Sequence, residues 1–107
     1  MITLALLTVL PVRGEGVDSL QVYVQTGDSC MLAFNTFEAL QNYQRAYEIA
    51  QNQDVRMKLA DCHYKRANYR QVAELLKNIP QDSLSHEAFR QLAFSYQKQG
   101  DNDSFMY

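Results

Sequence analysis

A chain of 107 residues allows one domain at most, and its 10 Lys plus Arg stand against 12 Asp plus Glu. That balance provides no basic field to hold nucleic acid or an anionic membrane surface. Apolar residues at 47% and charged ones at 21% describe an ordinary globular segment, and only 4 Gly and 2 Pro interrupt it, which favours long helices with short connections.

Residues 2–10, Ile-Thr-Leu-Ala-Leu-Leu-Thr-Val-Leu, form an uncharged apolar run of nine. About 20 residues are needed to cross a bilayer, so the run predicts no stable span. It suits the apolar core of a secretory signal, closed by the helix-breaking Pro11 and the small Gly14, although no Lys or Arg precedes it. Residues 1–14 are therefore expected to be a signal segment, with Arg13-Gly14-Glu15-Gly16 as a polar joint, and residues 15–107 a helical domain exported to the periplasm or cell envelope. A buried N-terminal helix or strand is the alternative.

Six helical segments follow in order. The first, near 18–34, opens on the capping residues Asp18-Ser19 and carries Leu20, Tyr23, Val24, Gly27, Met31 and Phe34 at steps of three and four. The second, near 36–51, places Phe37, Leu40, Tyr43, Tyr47 and Ala50 on one face, with Ala39 and Ala46 beside them. Asp54 is expected to cap a third helix near 55–66, built on Met57, Leu59, Ala60, His63 and Tyr64. Asn68 then sits at a sharp turn that asks for a left-handed residue, a conformation Asn tolerates. A fourth helix near 70–78 is stopped by Pro80. Asp82-Ser83 restarts the chain as a fifth helix through about Gln99, with Glu87 in its first turn complementing the dipole. A sixth begins after Gly100-Asp101-Asn102-Asp103 and reaches Tyr107. No strand-like alternation competes, so the fold class is all-α, built as stacked antiparallel helix hairpins.

The segments repeat at an interval of 33. Leu59-Ala60-Asp61-Cys62-His63-Tyr64-Lys65-Arg66-Ala67 lies over Leu92-Ala93-Phe94-Ser95-Tyr96-Gln97-Lys98-Gln99-Gly100. Gly27, Ala60 and Ala93 form one column, always small; Tyr23, Arg56 and Phe89 form another, and Ala39, Val72 and Phe105 a third. The small column is expected at close contacts between adjoining hairpins. Cys30 aligns with His63 rather than Cys62, so the two thiols are expected to lie on neighbouring helices 8–10 Å apart, beyond disulfide reach.

A helix–turn–helix unit with these columns resembles the tetratricopeptide repeat (TPR) family over residues 20–107. In the third unit Phe89, Leu92, Ala93, Tyr96 and Gly100 match the family pattern as they stand. Leu59, Ala60, Ala67 and Tyr69 match in the second, and Gly27, Ala39, Tyr43 and Ala46 in the first. Arg56, His63, Thr26 and Cys30 depart from it, and Pro80 comes early. The resemblance implies a TPR-like α-solenoid of about two and a half repeats, at 20–52, 53–85 and an incomplete 86–107. The expectation is the N-terminal part of a longer array, or of a chain with another domain behind it.

Asp61-Cys62-His63 brings a carboxylate, a thiol and an imidazole together in sequence, but consecutive helical residues point about 100° apart and do not face each other. There is no Gly-rich phosphate loop, metal-ligand cluster or pair of carboxylates with a supporting base. The chain is expected to be no enzyme and to need no cofactor or metal. In TPR arrays the first helix of each unit lines a concave groove for a peptide or protein partner. Carried over by column, that groove comprises Gln21, Val24, Asp28, Met31 and Leu32 in the first unit. The second unit contributes Asp54, Met57, Asp61, Tyr64 and Lys65, and the third Glu87, Arg90, Phe94, Gln97 and Lys98. Its centre is expected at Met57, Asp61, Tyr64, Lys65, Arg90, Phe94 and Lys98. Val24 and Asp28 stand where a carboxylate clamp would need Lys and Asn, which argues against recognition of a C-terminal carboxylate. The expected function is protein–protein interaction in the cell envelope; the alternative is a sensory domain at the head of a longer signalling protein, of histidine-kinase or transcriptional-regulator type. The oligomeric state stays open.

Overall fold

Five α-helices follow one another in the computed structural model, which describes residues 11–100. The apolar run at 2–10, Phe105 and the sixth helix lie outside the described residues. The helices are α1 (Pro11–Leu32), α2 (Thr36–Ile49), α3 (Gln53–Lys65), α4 (Tyr69–Leu76) and α5 (His86–Lys98), with a 3₁₀ turn at Gln81–Ser83 before α5. Each packs on the next, and α3 also packs on α5. There is no strand among the described residues. α1 starts earlier than the sequence suggests, and Arg13-Gly14-Glu15-Gly16 is helix rather than a joint. Pro11 suits this start, because a helix's first residue has no partner for an N–H anyway.

The 33-residue interval reappears as backbone geometry. At the end of α1, Asn35 N–H donates to Cys30 O at 2.8 Å and Phe34 N–H to Met31 O at 3.0 Å. At the end of α3, Asn68 N–H donates to His63 O at 2.8 Å and Ala67 N–H to Tyr64 O at 3.0 Å. This pair of bonds terminates a helix through one left-handed residue. Those residues are Phe34 (φ 61), Ala67 (φ 62) and, at the end of α5, Gly100 (φ 75). The left-handed position is therefore Ala67 and not Asn68, whose φ is −93. The hydrogen-bond pattern demands the conformation directly after Arg66, and that demand overrides the preference of Asn one place later.

Helix starts differ from expectation for a similarly local reason. A capping side chain accepts from an N–H three residues ahead. Asn52, not Asp54, does so for α3, accepting from Val55 N–H at 2.8 Å. Ser85 does so for α5, accepting from Ala88 N–H at 3.0 Å. Asp82 and Ser83 belong to the 3₁₀ turn.

Two apolar clusters hold the helices together. One joins Ala39, Tyr43, Leu59 and Cys62 across α2 and α3, with Cys30 and Met31 of α1 against them. The other joins Ala60 of α3, Val72 and Leu76 of α4, Ile79 from the connection that follows α4, and Ala88 of α5. Gly27 is buried under Tyr43 of α2, so in this hairpin the small column serves the contact between its own two helices. Ala60 sits among both its own hairpin and α5, while Ala93 is only half-buried. On α2 the buried face is Ala39, Tyr43 and Ala46. Phe37 stands outside it, more than half exposed, with the Arg66 guanidinium 5.5 Å from its ring centre. Two alanines flank Tyr43 on that face, which lets α1 and α3 both pack closely against α2.

Candidate functional site

Helices α1, α3 and α5 contribute to one open groove of about 650 Å³. Asp28, Met31 and Leu32 enter it from α1, Met57, Asp61 and Lys65 from α3, and Glu87, Ala88 and Gln91 from α5. Each set recurs every three or four residues because one side of an α-helix faces the groove. Of the seven residues expected at its centre, Met57, Asp61 and Lys65 are there. Tyr64, Arg90 and Phe94 instead line a second depression of about 360 Å³, with Phe89, Ala93 and Gln97. Lys98 lies beside that depression, its Nζ 5.8 Å from the Phe94 ring centre. Gln21, Val24 and Asp54 line neither.

The division arises from an aromatic cluster. Tyr64 of α3, Tyr69 of α4 and Phe94 of α5 meet edge-to-face, their ring centres 5.6 to 5.8 Å apart. Such edge-to-face contacts stabilise beyond simple area burial. They draw Tyr64 and Phe94 away from the groove floor and into the joint between α3, α4 and α5.

Two acids of the groove are held by equivalent links. Asp28 accepts from Lys58 Nζ at 3.1 Å, and Asp61 accepts from Gln91 Nε2 at 2.7 Å. Asp28 and Asp61 are 33 residues apart, as are Lys58 and Gln91. The same bridge therefore joins α1 to α3 and α3 to α5. Sequence reasoning missed Lys58 and Gln91; the available signal was a hydrogen-bond donor 30 residues after each aspartate. Tyr43 adds its hydroxyl to Asp28 at 2.5 Å, and Lys65 adds its ammonium to Asp61 at 2.8 Å. Burial, then the hydrogen bond and charge of Asp28, push the Tyr43 hydroxyl far above the usual phenol range, so it stays a donor. Glu87 pairs with Arg90 on the groove's far edge.

Asp61, Cys62 and His63 point three ways. Asp61 faces the groove, while the buried Cys62 thiol donates to Thr36 O at 3.1 Å. His63 Nδ1 lies 3.3 Å from Asn68 Nδ2, across the turn into α4. Burial pushes the Cys62 thiol up to about 11, so it is not poised as a thiolate. Cys30, half-buried, and Cys62 are both free thiols. Among the described residues no three His, Cys, Asp or Glu converge as metal ligands, and no helix is long and apolar enough to cross a membrane.

Comparison with family models, with curated proteins and with solved structures found no match.

Proposed function

We propose that the groove along α1, α3 and α5 binds a peptide or protein segment, the chain acting as a TPR-like interaction module rather than an enzyme. The recurring bridge supports this reading above all. Asp28–Lys58 and Asp61–Gln91 hold two carboxylates at equivalent places on successive helices, each side chain still partly open to solvent. Beside them Met31 and Met57 give the groove an adaptable apolar lining. Methionine serves surfaces that accommodate varied apolar anchors, and positioned carboxylates supply acceptors for a partner's N–H groups or cations. Such a site selects a segment with an apolar anchor flanked by donors.

Peptide selection against the purified chain tests the proposal. Peptides so obtained should lose affinity at least about tenfold with Met57→Glu, which places an unpaired charge in the contact. The paired change Tyr64→Ala with Phe94→Ala should leave them bound if the groove, and not the aromatic depression, is the site. Peptides insensitive to Met57→Glu in a chain of unchanged helicity would remove the groove from consideration.

A further inference from the structure

The chain-wide charge balance says nothing about where charges lie along the helices. The turns after α1 and α3 share one end of the molecule, where the start of α2 meets the end of α3: Thr36 O accepts from Cys62 Sγ at 3.1 Å and Thr36 Oγ1 from Arg66 Nη1 at 3.3 Å. Leu32, Phe34 and Phe37 gather at that end, Leu32 83% and Phe34 90% exposed. Phe34 holds a φ of 61, a conformation disfavoured for a bulky side chain. The equivalent turn after α5 uses Gly100, the residue that the backbone alone would choose. The Phe34 ring gains almost no packing within the fold in return, and an exposed outlier of this kind points to an outside contact.

The surroundings indicate what that contact is. Arg66 lies over the Phe37 ring and donates to Thr36 Oγ1 at 3.3 Å, with no carboxylate partner among the described residues; Arg70, in the first turn of α4, likewise has no carboxylate partner among them. Lys65 adjoins them, paired with Asp61. The nearby Glu38 carboxylate is occupied by Asn35 Nδ2 at 2.7 Å. That end thus carries exposed apolar side chains beside two guanidinium groups that have no carboxylate partner among the described residues. Three side chains fall well short of the roughly 800 Å² per partner that a stable dimer buries. Apolar insertion combined with a few cations is the pairing of signals that holds a protein to a charged bilayer interface.

We propose that this end of the molecule docks on an anionic lipid surface, with Leu32, Phe34 and Phe37 entering the headgroup–acyl boundary and Arg66 and Arg70 meeting lipid phosphates. Arg66 is suited to this because its stem runs along the Phe37 ring and its charge can reach outward. The apolar tip is carried by Phe34 and Phe37, which do not line the peptide groove; Leu32 borders both surfaces.

Flotation with vesicles of phosphatidylcholine, with and without phosphatidylglycerol, tests it on the full chain. Phe34→Gly suits the positive φ and should keep or raise the thermal midpoint while lowering partition onto the anionic vesicles about tenfold. Arg66→Gln should weaken partition and flatten its dependence on salt. The chain contains no Trp, so Phe34→Trp installs a lone reporter whose emission should shift to the blue on anionic vesicles. Equal partition of wild type and Phe34→Gly, or unshifted emission from Phe34→Trp, overturns the proposal. Self-association that Phe34→Gly abolishes, without any vesicle binding, overturns it in favour of a second copy of the chain.

Discussion

Gly27 lies beneath the ring of Tyr43, close enough that a Cβ at position 27 would stand 2.5 Å from Cε1 and 2.7 Å from Cδ1. Tyr43 has little room to retreat, being buried in the cluster with Ala39 and Leu59 and tied through its hydroxyl to Asp28. Alanine would ordinarily improve a helix interior by about 1 kcal/mol over glycine. Overpacking a filled contact costs about 1–3 kcal/mol. Gly27→Ala is therefore expected to destabilise by about 1 kcal/mol net, read as a lower urea midpoint with unchanged slope. A raised midpoint would show that the ring swings aside and that the close approach is not needed.

The two inter-helix bridges occupy equivalent places but differ in exposure. Gln91 is 2% exposed, and its loss strips a buried donor from Asp61. Lys58 and Asp28 are each about a third or more open to solvent, and water substitutes there. Gln91→Ala should cost about 1–3 kcal/mol, and Lys58→Ala no more than about 1 kcal/mol. Chemical denaturation of the two variants side by side checks the order; the reverse order would mean that the charge, not the burial, sets the strength of the link.

Ser95 offers the opposite sign. Its Oγ is the one buried side-chain polar atom without a hydrogen-bond partner among the described residues. Its counterpart 33 residues earlier is Cys62, whose larger sulfur reaches the Thr36 carbonyl. Ser95→Ala removes an unsatisfied hydroxyl and improves helix propensity, so it should raise stability by about 1 kcal/mol. A fall in the thermal midpoint would reveal that bound water satisfies the hydroxyl.

His63 gives the fold a pH dependence. Burial, and then the nearby Arg66 charge, hold its pKa below the ordinary 6.5. As pH falls through about 6.5 the unfolded chain takes up the proton first, so the folded state loses stability from there down to the lowered native pKa. Above that window the neutral ring contributes fully. The difference in unfolding free energy between wild type and His63→Gln should therefore shrink as pH drops from about 7 toward 5. A difference that stays level over this range would place the ring in solvent.

Much of the architecture was legible before any coordinates. Apolar residues at steps of three and four marked α2 to α5, because one helix face must leave water whatever its neighbours are. Gly27 and Ala60 are both buried as their size suggested, but Gly27 meets α2 of its own hairpin and not the adjoining one, and Ala93 is only half-buried. Local chemistry was less faithful. Asn68 looked like the left-handed residue, yet the bond pattern at the end of α3 assigns that role to Ala67. Phe37 looked like core, yet α1 and α3 leave room only for Ala39, Tyr43 and Ala46 on the inner face of α2.

The candidate site divides along the same line. Met57, Asp61 and Lys65 were expected in a groove from the resemblance to tetratricopeptide repeats, and helical period accounts for their sharing one side of α3. That Tyr64 and Phe94 turn instead toward Tyr69, and that Lys58 and Gln91 clasp the aspartates, depends on how α3 approaches its neighbours. Sequence by itself determined which residues share a face, since that follows from 3.6 residues per turn. The pairing of faces was decided only in tertiary structure, because the contacts between Asp28 and Lys58, or Asp61 and Gln91, span 30 residues. Helix packing alone brings such distant residues within reach of a hydrogen bond.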